Sequence, residues 1–254
     1  MKTLFLFFTI LVISCNTSSN VNAQNNSNTN YKKIKPIPVY PIDECNNNKE
    51  LKDFIEKLKL AIVNNDTEYV FSIVSDSIIL SYNDLEIENS KMFLRKICRN
   101  DTVLNEYFLK PLLRGVSLGL IETESENDNE IEYSFPSVLY SKWYEGDDYG
   151  FSLDLCAVDS NVSVFSRPDT TSEIVGRLNY EVVKVDYEKL NKFKNKMKGV
   201  SYYNIYDNWY YIMKYDKKIK GFVEAKYLYS MMGYRGGFKK INGKYYLICY
   251  VSGD

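Results

Sequence analysis

The chain has 254 residues, which is enough for two modest domains, each with its own hydrophobic core. Hydrophobic residues make up 45% of the chain and charged residues 26%, which is typical of a globular protein. The formal net charge is -1, so no overall positive field draws the chain to nucleic acid or to an anionic membrane, and we expect no nucleic-acid partner. The chain has no histidine, which excludes Ser-His-Asp and Cys-His catalysis and histidine-bound zinc.

The first 15 residues have the layout of a bacterial export signal. A cation at Lys2 precedes an apolar run from Leu4 to Ile13, which is too short to span a bilayer as a stable helix. The stretch Val12-Ile13-Ser14-Cys15 resembles the lipobox of bacterial lipoproteins, which implies lipid attachment at Cys15. The alternative is plain secretion with cleavage after Ala23. We expect an exported chain in the cell envelope or periplasm, anchored to a membrane through the lipid on Cys15.

Residues 16–45 are predicted to be a disordered tether. The first part, "NTSSNVNAQNNSNTN", has almost no apolar side chains whose burial would offset the loss of chain entropy. The second part, "KKIKPIPVYPID", carries three prolines, which favour extended backbone.

Residues 46–150 are predicted to form a helix-rich α+β domain. Apolar residues with helical spacing begin after Lys49 and end near Asn64-Asn65. The apolar stretch "SIILSY" predicts a buried strand, and two alternating runs around Asn127-Asp128-Asn129 predict a hairpin. Further helices are expected to start at three N-cap residues, which are Asp66, Ser90 and Asp101.

Acidic side chains at strand spacing mark the predicted hairpin. They are Glu122, Glu124, Glu126, Glu130 and Glu132. Residues two apart share a strand face, so a pair of them is able to bind a hard cation or to act as acid and base. We favour a solvated face, and we expect no metal, no cofactor and no catalytic residues. The alternative function is a carboxylate-dependent, glycosidase-like hydrolase in this domain.

Residues 151–230 are strand-like, except near Tyr187 to Lys198, and carry five short blocks in order. The blocks are "VSVFSRP" from Val162, "IVGRL" from Ile174, "VVKV" from Val182, "NWYYI" from Asn208 and "KGFVEAKYL" from Lys220. They resemble the successive strands of bacterial SH3 (SH3b) domains, whose patterns include V-N-V-R-S-x-P, V-I-G-x-L and G-W-x-K-V. The resemblance implies a small SH3-like β-barrel over residues 151–230.

The chain departs from the family pattern at three positions and by one insertion. Phe165 replaces the usual arginine, Arg167 a glycine, and Asn208 the glycine before the tryptophan. The insertion, Tyr187 to Tyr206, contains a run of lysines: Lys189, Lys192, Lys194, Lys196 and Lys198. We interpret this run as a solvated loop, and the alternative is contact with an anionic wall polymer or lipid headgroups. The lack of histidine also excludes the usual wall peptidases and amidases that carry SH3b domains.

Aromatic residues are the predicted ligand site, because a small barrel offers an aromatic groove rather than a catalytic centre. The candidates are Trp209, Tyr211, Tyr202, Tyr203 and Tyr227. Strand alternation places Tyr210 and Ile212 on one face and Trp209 and Tyr211 on the other, but it does not decide which face meets the core. The alternative is that most of these rings pack the barrel or a domain interface.

Residues 231–254 are predicted to form a C-terminal β-hairpin around Asn242-Gly243. Both faces of its second strand, Lys244 to Val251, carry apolar side chains, so we expect this strand inside a sheet of the helical domain or the barrel. Four cysteines remain beyond Cys15, and they form two disulfides in one of three pairings or stay free thiols. They are Cys45, Cys98, Cys156 and Cys249.

The predicted fold class is therefore α+β, with a helix-rich N-terminal domain followed by a small SH3-like β-barrel and a C-terminal β-hairpin. The predicted function is a non-catalytic binding module of the cell envelope. Its expected partners are peptidoglycan or an envelope protein, with the membrane reached through the lipid anchor.

Overall fold

The computed structural model describes residues 35–80, 89–124, 131–145, 154–196 and 208–253, without the side chains of residues 193–196. The export signal, Cys15 and most of the predicted tether lie outside these ranges, as do Tyr202 and Tyr203. The architecture is mixed α+β with two open sheets, which confirms the predicted class at that level. Residues Ile34–Asp254 belong to one compact unit.

Six α-helices occur in the described ranges. They are α1 (Lys49–Val63), α2 (Thr67–Ser72), α3 (Ser90–Ile97), α4 (Asp101–Leu104), α5 (Lys110–Ser117) and α6 (Tyr187–Lys196). A π-helical turn, Asn105–Leu109, joins α4 to α5, and short 3₁₀ helices occupy Glu44–Asn47, Ser137–Tyr140 and Ala225–Tyr227.

Helix starts were predicted with mixed success. Asp66 caps α2, because its carboxylate accepts from the Tyr69 amide (3.0 Å), as predicted. The predicted caps Ser90 and Asp101 are instead the first residues of α3 and α4. The Ser90 hydroxyl donates to the Asp76 carbonyl of the neighbouring strand, and the Asn100 side chain caps α4. In both cases a neighbouring residue takes the cap position.

The described ranges contain twelve strands. In chain order they are β1 (Val74–Ile79), β2 (Ile121–Glu124), β3 (Ile131–Phe135), β4 (Leu155–Ala157), β5 (Val162–Phe165), β6 (Ile174–Leu178), β7 (Val182–Val185), β8 (Trp209–Lys214), β9 (Lys220–Glu224), β10 (Leu228–Ser230), β11 (Arg235–Ile241) and β12 (Lys244–Val251).

The first sheet has the strand order β1-β12-β11-β3-β2 and packs against helices α1 to α5. Strand β12 pairs in parallel with β1 and antiparallel with β11, so the terminal strand lies inside the sheet of the helical domain. Its Leu247 is fully buried and Tyr250 nearly so, as the apolar pattern on both faces predicted. Strands β11 and β12 therefore form the predicted hairpin around Asn242-Gly243, and both strands lie in the interior of this sheet.

The second sheet has the strand order β10-β4-β7-β8-β9-β5-β6, and all neighbouring strands in it are antiparallel. Its first hairpin pairs Val162 with Leu178 across β5 and β6. The inner face buries a core of aliphatic side chains that includes Val164, Val183, Ile212 and Val223. The sheet is open in this strand order, and closure into a barrel stays a prediction.

Residues 35–45 overturn the last part of the tether prediction, because they are packed against both sheets. The Ile37 amide donates to the Trp143 carbonyl (2.9 Å), and the Val39 amide donates to the Tyr180 carbonyl (2.8 Å). Val39 is fully buried, and the Glu44 amide donates to the Leu120 carbonyl just before β2. We call the first sheet with helices α1 to α5 the first module, and the second sheet with α6 the second module. Long-range backbone partners hold this proline-containing stretch, and local composition does not reveal such partners.

A third core joins the two sheets. It contains the buried residues Val39, Val138, Trp143, Tyr144, Cys156, Val182 and Tyr229. The indole N–H of Trp143 is satisfied inside it by the Val138 carbonyl (2.8 Å). Beside this core, Arg114 of α5 donates to the carbonyls of Ala225 and Leu228, so a side chain of the first module is bonded to the backbone of the second.

Two adjacent glycines of β11 give a matched test of this packing. A Cβ at Gly236 would lie 2.4 Å from the Cys249 carbonyl oxygen and 2.6 Å from a ring carbon of Phe135. A Cβ at Gly237 would meet nothing closer than 3.9 Å. We expect Gly236→Ala to lower the free energy of unfolding by about 2 kcal/mol or more, because backbone cannot yield as a flexible side chain does.

The matched variant Gly237→Ala should change the free energy of unfolding by less than about 1 kcal/mol. Urea denaturation at an unchanged slope measures both values. Equal denaturation midpoints for the two variants would contradict the described packing of β11 between β3 and β12.

Candidate functional site

Strand β8 has one face in the core and one face outside it. Ile212 is fully buried in the core of the second sheet, and Tyr210 packs against that core. The alternation of the strand therefore turns Trp209, Tyr211 and Met213 to the outer face of the sheet. Tyr210 and Ile212 therefore form the core side of the strand, which the alternation of the sequence did not decide.

The outer aromatic face consists of Phe165, Trp209, Tyr211 and Phe222. The Trp209 ring meets Phe165 edge to face with centroids 5.7 Å apart, and Tyr211 meets Phe222 in the same way at 4.9 Å. Phe165 and Phe222 are opposite each other on β5 and β9 and are nearly buried. Trp209 and Tyr211 are half-buried, so two accessible rings lie against an apolar wall.

Helix α6 borders this face and is tied to it at its start. The Asp186 amide donates to the Tyr211 carbonyl (2.9 Å), and the Asp186 carboxylate caps the helix through the Lys189 amide (2.9 Å). Leu190 is fully buried, and the Lys189 ammonium lies 5.6 Å from the centroid of the Tyr211 ring. The described part of the lysine-rich insertion is thus a packed helix with exposed cations rather than the predicted solvated loop.

More lysines surround the outer aromatic face. Lys184 of β7 and Lys220 of β9 lie opposite Met213 on either side of β8. At the other end, Glu224 lies opposite Trp209 and is paired with Lys226 (2.8 Å). The face therefore offers ring surfaces, cations and one paired carboxylate, which suit stacking and hydrogen bonding rather than acid-base chemistry.

The five predicted ligand residues do not all lie together. Trp209 and Tyr211 share the outer aromatic face. Tyr227 packs against the inner core instead, with the Lys226 ammonium 4.8 Å from its ring centroid, so it does not join them. Tyr202 and Tyr203 lie outside the described residues, as does the lipidation candidate Cys15.

Sequence reasoning missed Phe165 and Phe222 as members of the face. Phe165 stands where the family pattern has an arginine, and this aromatic substitution was the one sequence feature that pointed to it. Phe222 precedes Val223 in β9, and Val223 is fully buried in the inner core. The alternation of β9 then turns Phe222 outward, but this conclusion needs the core side to be known.

A buried carboxylate lies where β4 begins. Asp154 is 3% exposed and accepts hydrogen bonds from the hydroxyls of Tyr144 (2.5 Å) and Tyr215. The pKa of both tyrosines is raised above its ordinary range, mainly by burial and secondly by the hydrogen bond to Asp154. Both tyrosines therefore keep their protons and act as donors, and the cluster is satisfied by its own members.

The predicted acidic hairpin does not gather its glutamates on one face. In the pairing of β2 with β3, Thr123 lies opposite Glu132, so Glu132 points to the face away from Glu122 and Glu124. Glu122 and Glu124 are exposed on the edge strand. Glu126 and Glu130 lie outside the described residues.

The four described cysteines are free thiols, so the disulfide alternative is wrong for the structure as described. Cys45, Cys98 and Cys156 are buried and Cys249 is half-buried. Burial raises the pKa of the Cys45 and Cys156 thiols to about 12 and that of Cys249 to about 11. Thiols held in this way are protonated and unreactive at neutral pH.

No family model, curated protein or solved structure matches the chain. In the described ranges no helix is long and apolar enough to cross a membrane. The same ranges contain no group of three or more His, Cys, Asp or Glu residues placed to hold a metal ion.

The Cys156 thiol predicts how stability depends on pH. Its pKa is about 12 in the folded protein against an ordinary value of 9.0, so the unfolded chain releases the proton first as pH rises. The stabilisation is complete below pH 9.0 and is lost as pH rises toward about 12. Each such thiol should lower the free energy of unfolding by about 1.4 kcal/mol per pH unit in that window.

Cys156→Ala should therefore give a shallower fall of the unfolding free energy with pH, by the contribution of one thiol. The readout is the slope, because loss of the side chain also shifts the whole curve. Val182→Ala, at the residue opposite Cys156 in β7, is the control and should shift the curve without changing its slope. Parallel curves for wild type and Cys156→Ala would refute the assignment.

Proposed function

We propose that the second sheet is an SH3-like recognition module of the SH3b type, and that it serves a non-catalytic binding protein of the bacterial cell envelope. The order of the sequence blocks supports this proposal. The five blocks that resemble the family include, in chain order, strands β5, β6, β7, β8 and β9. Consecutive pairs β5–β6, β7–β8 and β8–β9 are antiparallel neighbours, as the strands of such a domain are expected to be.

The outer aromatic face is the observation that carries the proposed function. Trp209 and Tyr211 remain half-exposed although the opposite face of the same strand is buried. Rigid aromatic rings bury a large area with little loss of rotamer freedom, and they are enriched at recognition hot spots. A face of this kind suits an extended, repetitive partner, and we propose peptidoglycan or an envelope protein.

Binding by this module alone should be weak. Two accessible rings bury far less area than a standard protein interface, so we expect micromolar dissociation constants or weaker. A lipid anchor on Cys15 would confine the module beside the wall and raise its effective concentration without any new contact.

The hydrolase alternative finds less support. It requires two carboxylates that converge on a substrate with separated pKa values. Glu122 and Glu132 point to opposite faces of the first sheet, and the buried Asp154 is engaged by two tyrosine hydroxyls. The proposed module therefore binds its partner without transforming it.

Replacing Trp209 by Ala should weaken binding to the partner by tenfold or more, the loss of a single hot-spot side chain. Tyr211→Ala should also weaken binding. Tyr246→Ala is the matched control, because Tyr246 is a half-buried tyrosine on β12 of the first sheet. Co-sedimentation with intact peptidoglycan, and separately capture of envelope proteins, measure binding for variants whose melting temperature shows that they are folded.

If the wild type binds neither partner, the recognition module is refuted. If binding survives Trp209→Ala and Tyr211→Ala, the site lies elsewhere, and Lys189 of α6 is the next position to substitute. Loss of binding with a folded Tyr246→Ala variant would place the contact on the first sheet and would contradict the outer aromatic face as the site.

The proposed anchor has its own test. Cys15→Ala should release the protein from membranes after a high-salt wash, which removes charge-dependent association. The wild type should remain in the membrane fraction. A mature protein that begins at Gln24, or one that stays membrane-bound after the substitution and the wash, would contradict lipid attachment at Cys15.

A further inference from the structure

Helix α3 exposes large apolar side chains to solvent. Met92 is 66% exposed, Phe93 43% and Ile97 45%, while Leu94 and Cys98 of the same turns are buried. Single exposed apolar residues are ordinary in soluble domains, but three on an eight-residue helix form a patch. The buried side of α3 satisfies its packing, so the exposed patch is not needed for the core of the first module.

The exposed apolar residues and one cation share a single helical face. At 100° per residue, Met92, Lys96, Phe93 and Ile97 fall within an arc of about 140°. Leu94 and Cys98 fall outside that arc. The outward face of α3 is thus amphipathic on its own, because it combines apolar side chains with a lysine.

Helix α3 itself carries three cations (Lys91, Arg95 and Lys96) and no acidic residue, and the first acid after it is Asp101. Lys91 is paired with Asp76 (3.2 Å) and Arg95 with Glu68 (3.7 Å), which accounts for two of the helix cations. Lys96 on the outward face and Arg99 just after the helix are exposed. The first turn of α3 has no acidic residue. The acids that precede the helix in sequence lie outside the described residues, and they are Asp84, Glu86 and Glu88.

We propose that α3 is a contact site for an anionic phospholipid bilayer. Met92, Phe93 and Ile97 enter the boundary between headgroups and acyl chains, and Lys96 and Arg99 face the lipid phosphates. A bilayer fits this face better than a protein does, because a bilayer accepts apolar side chains and their adjacent cations together without a shaped groove. The proposal does not depend on the outer aromatic face or on its partner.

The contact is expected to be weak and reversible on its own. A short helix with three apolar side chains gives little insertion energy, and stable attachment to a membrane usually takes two signals. A lipid on Cys15 would be the first signal and α3 the second. Charge-dependent binding of this kind weakens as salt rises.

A tryptophan at position 93 tests the contact directly. The full chain carries Cys15→Ala in every sample, so that no lipid is attached, and Phe93→Trp reports on insertion. Brominated phospholipids in vesicles should quench the new tryptophan when the vesicles contain phosphatidylglycerol, and not when they are pure phosphatidylcholine. Ile131→Trp is the matched control, because Ile131 is a 48% exposed apolar residue on β3. The parent chain gives the background of Trp143 and Trp209.

A second pair of variants tests the charges. Lys96→Ser with Arg99→Ser should raise the lipid concentration at half-maximal quenching by about 25-fold, roughly fivefold for each cation. The control pair, Lys49→Ser with Lys52→Ser, removes two exposed lysines of α1. It should change the lipid concentration at half-maximal quenching by less than about twofold. Quenching at position 93 that needs anionic lipid and fades in high salt supports the proposal.

Three outcomes of the vesicle experiments would overturn it. They are no quenching at position 93, equal quenching at positions 93 and 131, and equal effects of the two charge pairs. Crosslinking of position 93 to an envelope protein in the absence of vesicle binding would also overturn it, in favour of a protein partner.

Discussion

The core between the two sheets is the constraint on which the rest of the structure depends. Cys156, Val182 and Tyr229 lie opposite one another on β4, β7 and β10, and they point to the outer face of the second sheet. That outer face would expose an apolar surface if nothing covered it. Packing against Trp143 and neighbouring residues of the first module removes the surface from water.

The same core decides which part of the second sheet is open. On the second sheet, the half that packs against the first module consists of strands β10, β4 and β7. The outer aromatic face lies on the neighbouring strands β8, β9 and β5. Both halves lie on one continuous side of the sheet, because Val182 shares its face with Lys184, which lies opposite Met213. The candidate site therefore lies on the same side of the sheet that the first module covers elsewhere, and its Trp209 and Tyr211 remain half-buried.

Local sequence predicted the elements whose causes are local. Asp66 caps α2 through its own side chain, and Asn242-Gly243 turns the last hairpin with a positive φ at both residues, as that dipeptide predicts. Val39 was missed, because its burial depends on Tyr180 and Trp143, which are more than 100 residues away in the chain.

The orientation of Trp209 was open for the same reason. Alternation separates Trp209 from Ile212, but only the packing of distant strands decides which of them is buried.

Asp154 lies between the part of the outer face that packs against the first module and the part that carries the aromatic rings, and it is hydrogen-bonded to a tyrosine on each side. Tyr144 belongs to the interface core, and Tyr215 lies just beyond the end of β8, so one carboxylate joins the covered half to the strand that carries Trp209. A buried carboxylate that loses a donor costs about 1–3 kcal/mol or more, which is a large share of the stability of a small module. Any shift of β8 relative to the first module would break this arrangement. The position of the aromatic rings is thus held by a polar contact at the border as well as by apolar packing behind them, and the proposed partner would meet a face that is already arranged.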